Sequence, residues 1–108
     1  MSVEIRDIFG RSLFKLNALQ LRLFTPEFIA ARRRKPARRL RARIAPDCLI
    51  IVRGKGGRTR TYRLHHRSLL VDDKTNKVWP FYFGFLLLQW VNTVLPPRRK
   101  VPARPIPP

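Results

Sequence analysis

Eight of the twelve residues in "RRRKPARRLRAR", positions 32–43, are basic. Guanidinium groups at this density pair with phosphate oxygens, because the planar fork offers two parallel N–H donors to one anion and also stacks on flat surfaces. Arg32, Arg33, Arg34, Lys35, Arg38, Arg39, Arg41 and Arg43 are therefore candidate phosphate-binding residues. Farther along, "RGKGGRTR" sets Lys55, Arg58 and Arg60 around a glycine-rich turn, where a backbone lacking Cβ atoms can approach a phosphate closely. A third cluster, Arg98, Arg99 and Lys100, lies in "PPRRKVPARPIPP".

Other chemistries lack their residues. "GKGG" has neither the P-loop nor the dinucleotide-binding spacing. His65 and His66 are adjacent, so on a strand they face opposite sides and do not close on one metal. The single cysteine, Cys48, forms no internal disulfide and opens an apolar run, which reads as a small buried hydrophobe rather than a nucleophile. Asp72 and Asp73 are the one adjacent pair among six carboxylates, and they fall in a lysine-bearing turn rather than a cleft suited to general acid–base work. The expectation is a binding protein and not an enzyme, with no metal, cofactor or small-molecule substrate.

The formal net charge is +18 over 108 residues, with 24 Lys and Arg against 6 Asp and Glu. A polyanionic partner relieves the self-repulsion that such an imbalance creates. The charge is unevenly placed: residues 32–67 hold fourteen basic side chains and one acid, whereas residues 1–31 and 68–97 are nearly balanced. Tyr62 is the lone aromatic inside the basic block, and single-strand binders need stacking rings interleaved with charge. The block therefore points to structured RNA read through phosphate and shape.

Five segments position these residues. Residues 1–24 read as an amphipathic anchor helix, since Ile5, Phe9, Leu13, Leu16, Leu19 and Leu23 recur at three- and four-residue steps. Its basic, amphipathic character is also that of a transit peptide, against which Glu4 and Asp7 argue. Residues 25–46 hold a second helix, begun by Thr25 and Pro26 and stopped before Pro36, followed by the rest of the Arg-rich block. Residues 47–80 read as short antiparallel strands, and residues 81–95 as an apolar helix. Residues 96–108 form a basic, proline-rich tail. The fold class expected is α+β: a small extended protein with two N-terminal helices, a short antiparallel β-hairpin or meander, one apolar C-terminal helix and the tail.

Residues 78–97 carry no charge at all. Prolines bound the helical part to about sixteen residues, or roughly 24 Å, against a bilayer core of about 30 Å. Gln89, Asn92 and Thr93 make one face polar, opposite Phe83, Leu87, Trp90, Val91 and Val94. Docking on a protein neighbour is the preferred reading, through those five residues together with Ile5, Phe9, Leu13 and Leu16.

The Arg-rich block, the apolar anchor segments and the tail together resemble the small accessory proteins of mitochondrial ribosomes. The resemblance is one of composition, covers the whole chain and transfers no site. It implies a structural protein of an organellar ribosome, partnered by ribosomal RNA and neighbouring ribosomal proteins on the matrix side of the mitochondrion. The alternative is a single-pass or interfacial accessory subunit of a mitochondrial inner-membrane complex, its basic block meeting anionic head groups.

Overall fold

The computed structural model describes residues 1–37 and 45–95. Near the N-terminus, Val3 and Ile5 alternate with Glu4 and Arg6, and this period of two forms strand β1 (Ser2–Arg6). Asp7 ends it: one carboxylate oxygen accepts the backbone N–H groups of Phe9 and Arg11, each at 2.9 Å, and Gly10 takes φ +86°. The chain returns as β2 (Ser12–Lys15), antiparallel to β1 with Ile5 opposite Phe14.

Helix α1 (Ala18–Arg33) starts at a reciprocal cap, in which the Asn17 side chain accepts the Gln20 N–H and the Gln20 side chain accepts the Asn17 N–H. It continues through Pro26. The expected pair of N-terminal helices is thus overturned. The first is a β-hairpin plus the opening turns of α1, and the second is the remainder of the same helix. Phe24 stacks on Phe28 at 5.3 Å, either side of Pro26, and the burial of both rings in the core helps offset the lost backbone bond and the steric clash of an interior proline.

After the basic block come β3 (Cys48–Arg53), β4 (Thr59–His65), β5 (Leu69–Asp72) and β6 (Val78–Pro80), then helix α2 (Gly84–Val94). The sheet order is β2-β1-β3-β4-β5-β6, with every neighbouring pair antiparallel. A six-stranded sheet therefore dominates, not a short hairpin or meander, and the helix of the uncharged stretch is eleven residues long rather than about sixteen.

Register lines up one apolar face. Ile5, Ile50 and Tyr62 are paired across β1, β3 and β4, and Cys48, Leu64, Leu70 and Trp79 across β3 to β6. Phe24 and Phe28 of α1 and Leu87, Leu88 and Val91 of α2 bury in the same cluster. Each such side chain contributes about 2 kcal/mol on leaving water, so a chain this short cannot spare them for a partner. Ile5, Leu16, Leu87 and Val91, expected to dock on neighbours, close the protein's own core instead. An extended shape is overturned for the same reason.

On the opposite face, Glu4 is held between Arg6, whose guanidinium donates to it, Ser12 Oγ at 3.3 Å and Lys15 Nζ at 4.0 Å. The Arg6 hydrogen bond keeps its carboxyl below the usual glutamate range, although burial works the other way.

Candidate nucleic-acid interface

Antiparallel pairing sends the β3–β4 loop and the β5–β6 turn to one end of the sheet. Arg53 pairs with Thr59 there, and Tyr62 pairs with Asp72. The last turn of α1 arrives at the same end: Trp79 Nε1 donates to the Arg34 carbonyl at 3.1 Å, and the Ala37 N–H to the Val78 carbonyl at 2.9 Å. Three segments far apart in sequence thus deliver their cations together.

Arg33, Arg34, Lys35, Arg53, Lys55, Arg58, Arg60, Lys74 and Lys77 are all exposed at this end. Of its two carboxylates, Asp72 is buried and accepts the N–H groups of Lys74 and Thr75 at 2.9 and 3.2 Å. Asp73 is exposed and lies 3.5 Å from Arg63 Nε. The loop that carries Lys55 and Arg58 is closed by the Gly54 N–H on the Arg58 carbonyl at 2.9 Å. Gly56 and Gly57 both take positive φ there, at +88° and +81°, and a Cβ on either would meet nothing within 4 Å. The tip stands open to a polyanion.

Not every candidate belongs to this surface. The Arg32 guanidinium sits over three rings, Tyr62 at 5.5 Å, Trp79 at 5.7 Å and Phe28 at 5.8 Å, so it braces α1 on the sheet rather than reaching a phosphate. Arg60 is half-engaged, its Nε 3.8 Å from Asp72 Oδ2. Burial pushes the Tyr62 phenol up, opposed by Arg32 and Arg60 beside it. Arg38, Arg39, Arg41, Arg43, Arg98, Arg99 and Lys100 lie outside the described residues. The residues flanking the first four are fixed, with Ala37 on β6 and the Asp47 N–H on the Leu64 carbonyl at 2.7 Å.

Arg53, Lys74 and Lys77 join the surface without having been singled out by sequence. The signal was available, since Arg53 directly precedes the glycine turn and both lysines sit in "DDKTNK", but only pairing register places the two turns at one end.

Among the described residues, the basic end exposes no aromatic ring, because Tyr62 and Trp79 are buried under Arg32. The exposed rings Phe9, Tyr82 and Phe85 belong to the opposite end, in the β1–β2 loop and the corner entering α2. Of the remaining docking candidates, Val94 is also exposed, whereas Leu13, Phe83 and Trp90 are half-buried against the core. Cys48 is fully buried, and burial followed by the neighbouring Asp47 charge drives its thiol well above the ordinary range. Among the described residues, no group of three or more His, Cys, Asp or Glu is placed to hold a metal ion.

Comparison with protein-family models, with curated proteins and with solved structures finds no match for the chain. No described helix is long and apolar enough to cross a membrane.

Proposed function

We propose that this chain is a non-enzymatic structural protein of a mitochondrial ribosome, in which its basic end neutralises phosphates of double-stranded ribosomal RNA. The observation that carries the reading is the convergence of α1, the β3–β4 loop and the β5–β6 turn into one cationic end without an exposed ring. Phosphate contacts position a protein on a duplex without reading its sequence, and exposed Arg and Lys side chains without stacking rings suit such contacts. Neighbouring ribosomal proteins meet the outer sides of the helices, where Leu19, Leu23 and Ile29 of α1 and Leu86 and Val94 of α2 are exposed. The compositional resemblance supplies the ribosomal context.

Affinity of the full-length chain for a blunt RNA duplex should fall steeply with salt. Six contacts, from Arg33, Arg34, Lys35, Arg53, Lys55 and Arg58, give a log–log slope of about −5 by the duplex-DNA coefficient. Lys55→Ala with Arg58→Ala should flatten it by about two units. A slope near zero would refute the phosphate reading. In the organelle, the chain should sediment with a ribosomal subunit, and retention in the membrane pellet after alkaline carbonate would assign it to an inner-membrane complex instead.

A further inference from the structure

At the end of the sheet away from the basic surface, the β4–β5 turn holds two consecutive non-glycine residues at positive φ, His66 at 50° and Arg67 at 61°. The Ser68 N–H closes the turn on the His65 carbonyl at 3.2 Å. Asn and Gly occupy such a pair readily, whereas His and Arg do so only under strain. The fold holds them in place. Asp47 Oδ2 accepts the Arg67 N–H at 2.8 Å, the Phe81 N–H bonds the Ser68 carbonyl at 2.7 Å, and Gly84 lets α2 seat directly on the Arg67 carbonyl. None of these contacts uses the His66 or Arg67 side chain, so Asn-Gly would serve the backbone better. What the turn secures is the placing of the Arg67 guanidinium at this corner.

The corner also holds flat apolar surface. The Arg67 guanidinium lies 5.8 Å from the Phe85 ring centre, Phe85 is 48% exposed and Tyr82 is 71% exposed. The Phe85 N–H on the Tyr82 carbonyl at 3.3 Å places the two residues one turn apart. Rings interleaved with cations are the features that bind unpaired nucleotides, because every base offers a face to stack and every linkage a phosphate. These are the features that the basic end lacks.

We propose that the Tyr82–Phe85–Arg67 corner takes an unpaired nucleotide of the bound RNA, its base stacked on the exposed rings and its phosphate on Arg67. The proposal rests on the RNA-binding reading above and extends it. One end grips a duplex, and the other, within the molecule's 35 Å length, holds the single strand that leaves it.

The test measures binding of the full-length chain to a blunt RNA duplex and to the same duplex carrying an unpaired tail. The wild type should bind the tailed RNA about tenfold more tightly, the effect of one stacked base. Tyr82→Ala combined with Phe85→Ala should abolish that advantage without changing affinity for the blunt duplex. Arg67→Gly should reduce it while raising the thermal midpoint, since glycine takes the turn without strain. Equal binding of the two RNAs by the wild type, with steep salt dependence, would overturn this inference alone. Salt-insensitive binding, or none, would overturn the RNA reading and this inference with it. Loss of phosphatidylserine-vesicle binding in the double variant, with the tail advantage intact, would make the corner a lipid contact and refute the proposal.

Discussion

Gly84→Ala sets two effects against each other. By helix propensity alone, alanine in place of glycine at the start of α2 should add up to about 1 kcal/mol of stability. In the folded protein, however, a Cβ at this position would stand 2.2 Å from the Arg67 carbonyl oxygen and 2.8 Å from Leu64 Cδ1. A comfortable carbon–oxygen contact is about 3.3 Å, so helix and turn must separate by roughly 1 Å. The Leu64 side chain can yield, but the carbonyl cannot follow easily, because Asp47 and the Phe81–Ser68 hydrogen bond fix the turn. Overpacking against such a site costs about 3 kcal/mol, leaving a net loss of about 2 kcal/mol. For a domain of this size that is about 10 °C in thermal midpoint. Thermal and urea unfolding of the purified chain, followed by circular dichroism, reads the difference. Gly57→Ala is the control: it meets no atom within 4 Å but sits at φ +81°, so strain alone should cost about 1 kcal/mol. A Gly84→Ala protein as stable as the wild type, or less damaged than Gly57→Ala, would refute the close seating of α2 on the β4–β5 turn.

Two further outcomes follow from the geometry. Arg32→Met should lower stability by about 1–2 kcal/mol through loss of its three ring contacts yet leave the salt slope of RNA binding unchanged, and a flattened slope would return Arg32 to the phosphate surface. Glu4 has a depressed folded-state pKa, so its contribution is present above the unfolded value of about 4.3 and lost as pH falls through the lower folded value. Unfolding free energy should therefore drop more steeply as pH falls below about 4.3 in the wild type than in Glu4→Gln, and parallel curves would disprove the Arg6 pairing.

The strands after residue 47 are plain in the sequence, because "CLIIVR" and "RTRTYRLH" flank a glycine turn that leaves little alternative. The N-terminal hairpin is not, because Ile5, Phe9, Leu13 and Leu16 satisfy a helical spacing as well as they satisfy two short strands. The decisive signs were small: Asp7 and Gly10, which make the turn, and the Asn17–Gln20 pair, which starts the helix ten residues later. At the candidate site, Lys55 and Arg58 are legible because the glycines beside them announce an exposed tip. Arg32 is not, since the rings that claim it come from positions 28, 62 and 79. Apolar character likewise told that Leu87 and Val91 would be buried, but not that the covering surface would be the protein's own sheet.

The pairing of β1 with β3 has a kinetic consequence. Strands β3 to β6 follow one another with short turns, so that half can form from local contacts, but Arg6 must find Leu49 across everything between. Residues 7–47 contain eleven basic side chains and three acidic ones. Closing a loop of this length is entropically costly for any chain, and here mutual repulsion swells the open loop and slows the search. Added salt should therefore speed refolding in stopped-flow measurements while weakening the proposed grip on RNA, and a folding rate indifferent to ionic strength would show that closure is not the slow step. A polyanion screens the same charges without that trade-off. If the proposed RNA serves as that template, the last step of folding and the first step of binding become one event.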